Sequence, residues 1–560
     1  MRSHRRLLVV AAAMSLLLAG CASIPQSGAV HVSDVKPADD SPELDFLARS
    51  PEKGATQEQI LRGFIDAAAS PANLYQTARK YLTSGFSDEW NPDAGAVIDR
   101  DVDRDYTSTG ELSMSVDVTP VAGLTAHGQY AETASTPVSL PYEFVKVKGE
   151  WRISKAPQGI LIDAPTFALV FGAYSLYFFD PSFSALVPDL RYFPRRLTTP
   201  TQIVRELIAG PSPWLKGAVV SAFPDGSASE TVQVVARNAQ VPLNSEALKA
   251  DQTTLARMKQ QLTSSFSGVT TIGDVTLYGN QVAQDVPTLD TPSVQQPVDS
   301  RALVMRGGAF GFLSAGGDSL EPVRGLSDTI AALSPKAVTL GPGQNTAAVL
   351  TPTGVVSVRS GAQPVALDPR PDLIAPTVDA YGVVMSVPAN NPSALTAFAS
   401  DGTPTPVATS WPEASSITSL RLSRDGTRVI ALLQTQGGPR FFAAAVIRGQ
   451  GDKRQIPVQL GEPLALATAD GTPKDVAWVD ELSVASLTTR DDGSSVLVSQ
   501  QIGGPSVVLD ASNGARQVTG GNTDRDLRLL GADDVLEQRQ GNFWQARIDG
   551  VAFLGTQQGL

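Results

Sequence analysis

The chain has 560 residues, 44 basic and 56 acidic side chains, a formal net charge of −12 and one cysteine, Cys21. A surface of that sign repels nucleic acid and anionic lipid headgroups, and a single thiol excludes intramolecular disulfides and Cys-type metal sites. Apolar residues at 42% and charged residues at 18% describe a folded globular protein of a length that suggests three or so domains.

The first segment places Arg2, Arg5 and Arg6 before thirteen almost wholly apolar residues, 7–19. A charged start followed by an apolar run too short to span a bilayer reads as a secretory signal peptide over residues 1–20. Its end, Leu18-Ala19-Gly20-Cys21, resembles the bacterial lipobox. The resemblance implies that the Cys21 sulfur receives a diacylglyceryl group and that the cleaved chain begins at this lipidated residue. Losing residues 1–20 removes three arginines and no acid, so 44 − 3 = 41 basic side chains face 56 acidic ones and the net charge is −15. The acyl group must then hold the protein at the membrane against its own charge, which two or more chains do effectively permanently. Residues 21–57 are polar and punctuated by Pro25, Pro37, Pro42 and Pro51. They read as an acylated flexible tether with a reach on the order of 30 Å.

Residues 58–162 begin with Ile60, Leu61, Phe64 and Ile65 at helical spacing. A second helical run, "NLYQTARKYLTSGF", puts Leu74, Ala78, Tyr81 and Leu82 on one side. Between the helices and the strands lies "DRDVDRDYTSTGE", with Asp99, Asp101, Asp103 and Asp105 at alternate positions. An EF-hand loop needs glycine sixth and glutamate twelfth. Counting from Asp99 gives Arg104 and Gly110, and from Asp101 gives Tyr106 and Leu112, so the reading is the solvated face of an edge strand, with bound Ca²⁺ as the alternative. Strand-like stretches follow, ending in "YEFVKVKGEWRIS", whose apolar positions straddle a Gly149-Glu150 turn. Two helices followed by a curved antiparallel sheet resemble the NTF2-like cone fold.

Residues 163–282 open with the apolar strand "YSLYFFD". In "TPTQIVRELIAGPSPWL", Thr199 is placed to cap a helix, Pro200 to start it, Gln202 to complete a capping box and Gly210 to end it. A second helix carries Leu255, Met258, Leu262 and Phe266 on one face and leads into "IGDVTLYG". The order strand, helix, "SAFPDGS", strand, helix, strand resembles the GerMN domain of sporulation and cell-envelope lipoproteins.

Residues 283–300, with Pro287, Pro292 and Pro297, read as an exposed interdomain linker. Residues 301–560 are short strands between glycine turns, with an internal repeat: Trp411 and Trp478 each precede an Asp-Gly pair, Asp425-Gly426 and Asp492-Gly493, by fourteen residues. Each pair, and each following Gly-Gly-Pro, predicts a hairpin turn. Weaker copies recur about every 40 to 65 residues, which predicts a β-propeller of about five to seven blades, with a pair of β-sandwiches as the alternative. The expected fold class is therefore multidomain, an α+β N-terminal half with NTF2-like and GerMN-like units followed by an all-β propeller.

Chemistry leaves little trace. His31 and His127 are the only histidines beyond residue 20, too few for a catalytic triad or a His metal cluster. "SPEK", Ser50 to Lys53, has only the bare spacing of a Ser-x-x-Lys nucleophile, and "GPGQNT" stops one glycine short of a phosphate loop. Two carboxylates suffice for glycosidase chemistry and leave no signature, so a carbohydrate-active enzyme stays a minor alternative. No catalytic residue, metal site or cofactor is assigned.

Together the lipobox, the NTF2-like and GerMN-like units and the propeller resemble the LpqB family of actinobacterial lipoproteins. That resemblance implies a non-enzymatic adaptor, lipid-anchored on the extracytoplasmic face of the cell membrane. It implies action on the extracytoplasmic domain of a sensor histidine kinase in an envelope-stress two-component system. A glycan-binding structural protein, with peptidoglycan as partner, is the alternative; nucleic acid is not an expected partner.

Overall fold

The helix Gln57–Ala68 starts where Thr56 accepts a hydrogen bond from the Gln59 backbone and the Gln59 side chain returns one to Thr56, a capping box. The computed structural model describes residues 48–559 apart from 134, 135, 315, 318 and 450–454. Cys21, residues 1–20 and most of the expected tether lie outside the described residues.

The first helix buries Ile60, Leu61, Phe64 and Ile65, as its spacing predicts. The second predicted helix is broken. Asn73, Leu74 and Tyr75 all take positive φ, leaving a 3-10 turn Ala72–Tyr75 and short helices Gln76–Arg79 and Ser84–Glu89. The reversal carries Tyr75 into the core against Trp90, ring centroids 6.1 Å apart, and turns Leu74 out to solvent. Two four-stranded sheets follow. One runs Asp105–Gly110, Ser113–Val118, Val138–Val147, Glu150–Lys155. The other runs Tyr130–Glu132, Ala122–Thr125, Gly95–Asp99, Ile160–Asp163, and its last pair is parallel, where only antiparallel pairing was expected. The hairpin turn falls on Lys148-Gly149, both at positive φ, one residue before the predicted position.

In the second unit, Phe171–Phe179 pairs antiparallel with Leu186–Pro194. The helix Gln252–Ser265 buries Leu255, Met258 and Leu262. The sheet Gln233–Val235, Asn238–Pro242, Asp274–Gly279, Val282–Ala283 has a parallel central pair. The helix Thr199–Ala209 lacks the predicted capping box. Thr199 is its first residue rather than its cap, and the hydroxyl turns back to donate to the Pro194 carbonyl at 2.6 Å. Gly210, φ +102°, ends the helix as expected.

Beyond residue 300 the described strands form six sheets of four or five strands. Their innermost strands start at Val551, Ala337, Thr377, Ser416, Thr472 and Gln517, here blades one to six, and each lies against the next around a ring. Blade one takes its innermost strand, Val551–Leu554, from the far end of the chain, antiparallel to Leu303–Arg306. The propeller is thus six-bladed. Asp425-Gly426 and Asp492-Gly493 both sit in hairpin turns, with Gly426 and Gly493 at positive φ. They are not equivalent, however. The first joins strands one and two of blade four, Ser416–Leu422 and Arg428–Thr435. The second joins strands two and three of blade five, Ser483–Thr489 and Ser495–Gln501. The repeat in the sequence is one of hairpins and runs one strand out of step with the blades.

Candidate functional site

The segment read as a free linker is stitched to both of its neighbours. Ser293 bridges Ala185, and its carbonyl accepts from Leu186 N at 2.8 Å. Further on, Arg424 Nη1 donates to Gln296 O at 3.1 Å, and Asn522 exchanges two hydrogen bonds with the Val298 main chain at 2.8 and 2.9 Å. Gln557 does the same with Asp299, at 3.1 Å each way, and Arg528 Nη2 donates to Ser300 O. Val298 is buried beneath these contacts. Residues 292–301 therefore form a strap across one end of the propeller axis.

Beneath the strap lies a cavity of about 30 Å³, lined by Arg301, Arg421, Arg424, Arg528, Gln557 and Gln558 among others, with no acidic residue in its wall. Arg421 lies at the end of the inner strand of blade four and Arg424 in the turn after it, Arg528 opens the second strand of blade six and Arg301 leads into the second strand of blade one, which is how a ring fold gathers residues distant in sequence. Arg301 is paired with Asp299 at 2.6 Å and with Glu321. Arg421, 7% exposed, donates through Nη2 to Asp475 at 3.0 Å. Asp475 also accepts from Ser419 Oγ at 2.8 Å and Val518 N at 3.2 Å, so one carboxylate ties blades four, five and six. Arg424 and Arg528 form no ion pair among the described residues; their partners are main-chain carbonyls and Asn522. Burial pushes both guanidiniums below their ordinary pKa range.

A second recess, of about 250 Å³, lies where the three folded parts meet, walled by Tyr130, Leu190, Trp214, Leu464 and Ile502. Beside it Glu132 accepts from Ser506 N at 2.8 Å, linking the first sheet system to blade five. Leu482 packs into the same core as Leu190 and Tyr192.

The sequence candidates fall elsewhere. Asp99 does not sit on a solvated strand face: it is fully buried at the end of its strand, and Arg104 grips both carboxylate oxygens at 2.8 Å. Asp101 is exposed and also pairs with Arg104, at 3.1 Å, while Asp101–Asp103 is a 3-10 turn. Two of the four alternating aspartates, Asp99 and Asp101, thus serve one arginine. No group of three or more His, Cys, Asp or Glu side chains suited to a metal occurs among the described residues. His127 Nδ1 lies 2.9 Å from Glu206, which also faces Arg191. Ser50 Oγ accepts from Lys80 at 3.2 Å, and "GPGQNT" forms the turn between the first two strands of blade two. Cys21 lies outside the described residues. The axial arginines escaped sequence reasoning, although "RLSRDGTR" places two of them, Arg421 and Arg424, around one turn. No helix among the described residues is long and apolar enough to cross a membrane.

Three family models match: Lipoprotein LpqB, N-terminal domain, over 50–168; Sporulation and spore germination, over 175–283; and Lipoprotein LpqB beta-propeller domain, over 311–553. Lipoprotein LpqB of Cutibacterium acnes is 30% identical over 283 residues, covering 49% of this chain and 46% of that protein. That of Mycolicibacterium smegmatis is 34% identical over 223 residues, covering 38% and 37%. The chain thus spans less than half the length of these two relatives. Lipoprotein LpqB of Streptomyces coelicolor is 25% identical over 616 aligned positions, covering 98% of each chain. With matches to both LpqB domains, a sporulation-and-germination domain between them and a relative aligned end to end, the chain belongs to the LpqB family.

Proposed function

We propose that the protein is a binding adaptor, held by acyl groups on Cys21 at the extracytoplasmic face of the cell membrane, that modulates the sensor histidine kinase of an envelope-stress two-component system. The observation that carries this reading is the continuity of the three folded parts. Strap, Glu132–Ser506 contact and Leu482 packing join them into one compact unit, so a partner bound on one face meets a body able to transmit strain. The kinase itself is what the family resemblance implies. Tethering adaptor and kinase to one membrane raises their effective concentration, so modest intrinsic affinity suffices.

The test is crosslinking in intact cells followed by measurement of response-regulator phosphorylation under envelope stress. A sensor kinase among the crosslinked proteins and altered phosphorylation on deletion of the adaptor are expected. Unchanged phosphorylation across stresses overturns the reading. Cys21→Ala in the same cells is expected to abolish fatty-acid labelling and leave an uncleaved precursor; unchanged labelling overturns the lipid anchor alone.

A second reading, a glycan-binding structural protein, draws on a groove of about 820 Å³ on the second unit, walled by Ser229, Gln233, Gln240, Asn244, Tyr278 and Gln281. Amide and hydroxyl groups beside an aromatic ring suit sugar hydroxyls. Retention of the full chain on purified peptidoglycan, lost in Tyr278→Ala with Gln240→Ala, is the outcome that favours it.

A further inference from the structure

Four guanidiniums line the axial cavity, and only two of them form ion pairs with carboxylates among the described residues. Asp299 and Glu321 answer Arg301, and Asp475 answers Arg421. Arg424 and Arg528 meet main-chain carbonyls and one amide. Asp526 faces both from farther off, with Asp480 and Glu481 toward Arg424 and Asp299 toward Arg528, while Arg547 repels Arg528. The Asp526 carboxylate is already engaged by the backbone N–H groups of Asn522 and Thr523. In addition Arg421, more than nine-tenths buried, has no hydrogen-bond partner among the described residues for Nε and Nη1. Buried guanidiniums that no carboxylate touches, beside a third with unpaired N–H donors, are costly unless something negative enters.

We propose that this cavity binds one compact monovalent anion, a halide or a carboxylate group, held by Arg421, Arg424 and Arg528. Size sets the class: the cavity measures about 30 Å³, where a single water needs roughly 10–15 Å³. There is room for one small anion and at most one water. The buried Oε1 of Gln558, also without a partner among the described residues, accepts from that water and fixes it beside the anion. Because Arg424 and Arg528 also hold the strap carbonyls of Gln296 and Ser300, an anion between them stiffens the strap at its anchor points. This inference is independent of the kinase proposal.

The experiment uses the full chain purified in detergent. Melting temperature is followed in sodium gluconate, whose anion does not fit, and as gluconate is replaced by chloride, bromide or formate at constant ionic strength. A saturable rise is expected in at least one of the three, and which of them acts separates halide from carboxylate. Arg528→Gln is expected to weaken the apparent affinity at least tenfold, whereas a general salt effect persists in that variant. Crystals grown in bromide are expected to show an anomalous peak within hydrogen-bonding distance of Arg421, a readout that does not depend on any variant folding. Identical melting in all four salts together with no peak in the cavity overturns the proposal and leaves the arginines hydrated.

Discussion

Arg424 donates to the main-chain oxygen of Gln296, 3.1 Å away and 128 residues earlier in the chain. The same guanidinium reaches Asn522 and Gly521 of blade six, so one side chain of blade four clamps the strap to a blade two places around the ring. A proline-punctuated connection that composition marks as a spacer becomes, through distant arginines, part of the propeller's end face.

Proteolysis separates the spacer from the strap. Residues 285–288 are mostly exposed, whereas 292–300 carry the bonds to the propeller and the second unit. Limited digestion is expected to cut first near 285–288 and to spare 292–300. Arg424→Ala removes a charged hydrogen-bond donor worth about 1.5–3 kcal/mol. Local opening of the strap, and its cleavage, should rise roughly tenfold. Equal cleavage in both proteins would refute the clamp.

The Asp99–Arg104 pair makes a prediction about stability and calcium together. Both side chains are at most 5% exposed, and the pairing holds the Arg104 guanidinium pKa up against its burial. Removing one partner of a buried pair costs about 3–5 kcal/mol because the other charge is stranded. Asp99→Ala should therefore lower the melting temperature of the first unit sharply, while Asp103→Ala, at an exposed position, should not. With Asp99 engaged by Arg104, millimolar CaCl₂ is expected to leave the melting curve unchanged relative to EGTA. A calcium-dependent rise would mean that the acidic run binds the ion after all.

How far the sequence carries can be read from particular residues. Leu255, Met258 and Leu262 are a helix face visible from spacing alone, and Asp425-Gly426 is a turn visible from two letters, because both rest on local physics. The break at Asn73–Tyr75 was hidden, since burying Tyr75 against Trp90 outweighs the helical pattern around it. Thr199 had the right neighbours for a cap, but its hydroxyl turns back to donate to the Pro194 carbonyl and accept from the Arg196 N–H. The axial arginines were hidden for a different reason. Arg301, Arg421, Arg424 and Arg528 span more than 200 residues, and only closure of the ring brings them to one cavity.

Acid should weaken the propeller through Asp368. Burial works to raise its pKa, but Arg370, donating through Nε at 2.8 Å and Nη2 at 2.6 Å, outweighs it and holds the carboxyl below its ordinary 3.8. A carboxyl depressed in the folded state stabilises fully above its unfolded pKa, and that contribution is lost as pH falls through the folded value. Asp368→Asn is expected to be less stable than the parent at pH 7. The gap should narrow as pH drops below 3.8. A gap independent of pH, followed by circular dichroism, would remove Asp368 from the acid response.

The last prediction concerns how the ring is closed. Val551–Leu554 supplies the inner strand of blade one, and Thr556–Gln557 then runs parallel to Thr339–Leu340 of blade two. Gln558 N donates to Leu340 O at 3.0 Å, and Thr556 meets Thr339 hydroxyl to hydroxyl at the same distance. Phe553, 3% exposed, packs near Phe310, ring centroids 6.4 Å apart. One short segment therefore latches blades one and two together and also lines the axial cavity with Gln557 and Gln558. Phe553→Ala should cost about 3–5 kcal/mol through the cavity it leaves. Deleting residues 549–560 should do more, because it exposes the edges of Leu303–Arg306 and Ala337–Leu340 to intermolecular pairing. In calorimetry the expected result is loss of the propeller's cooperative transition, with aggregation, while the helix Gln57–Ala68 and the core around it stay protected from hydrogen exchange. A deletion variant that keeps the propeller transition would show that the inner strands of blades two to six hold the ring without the latch.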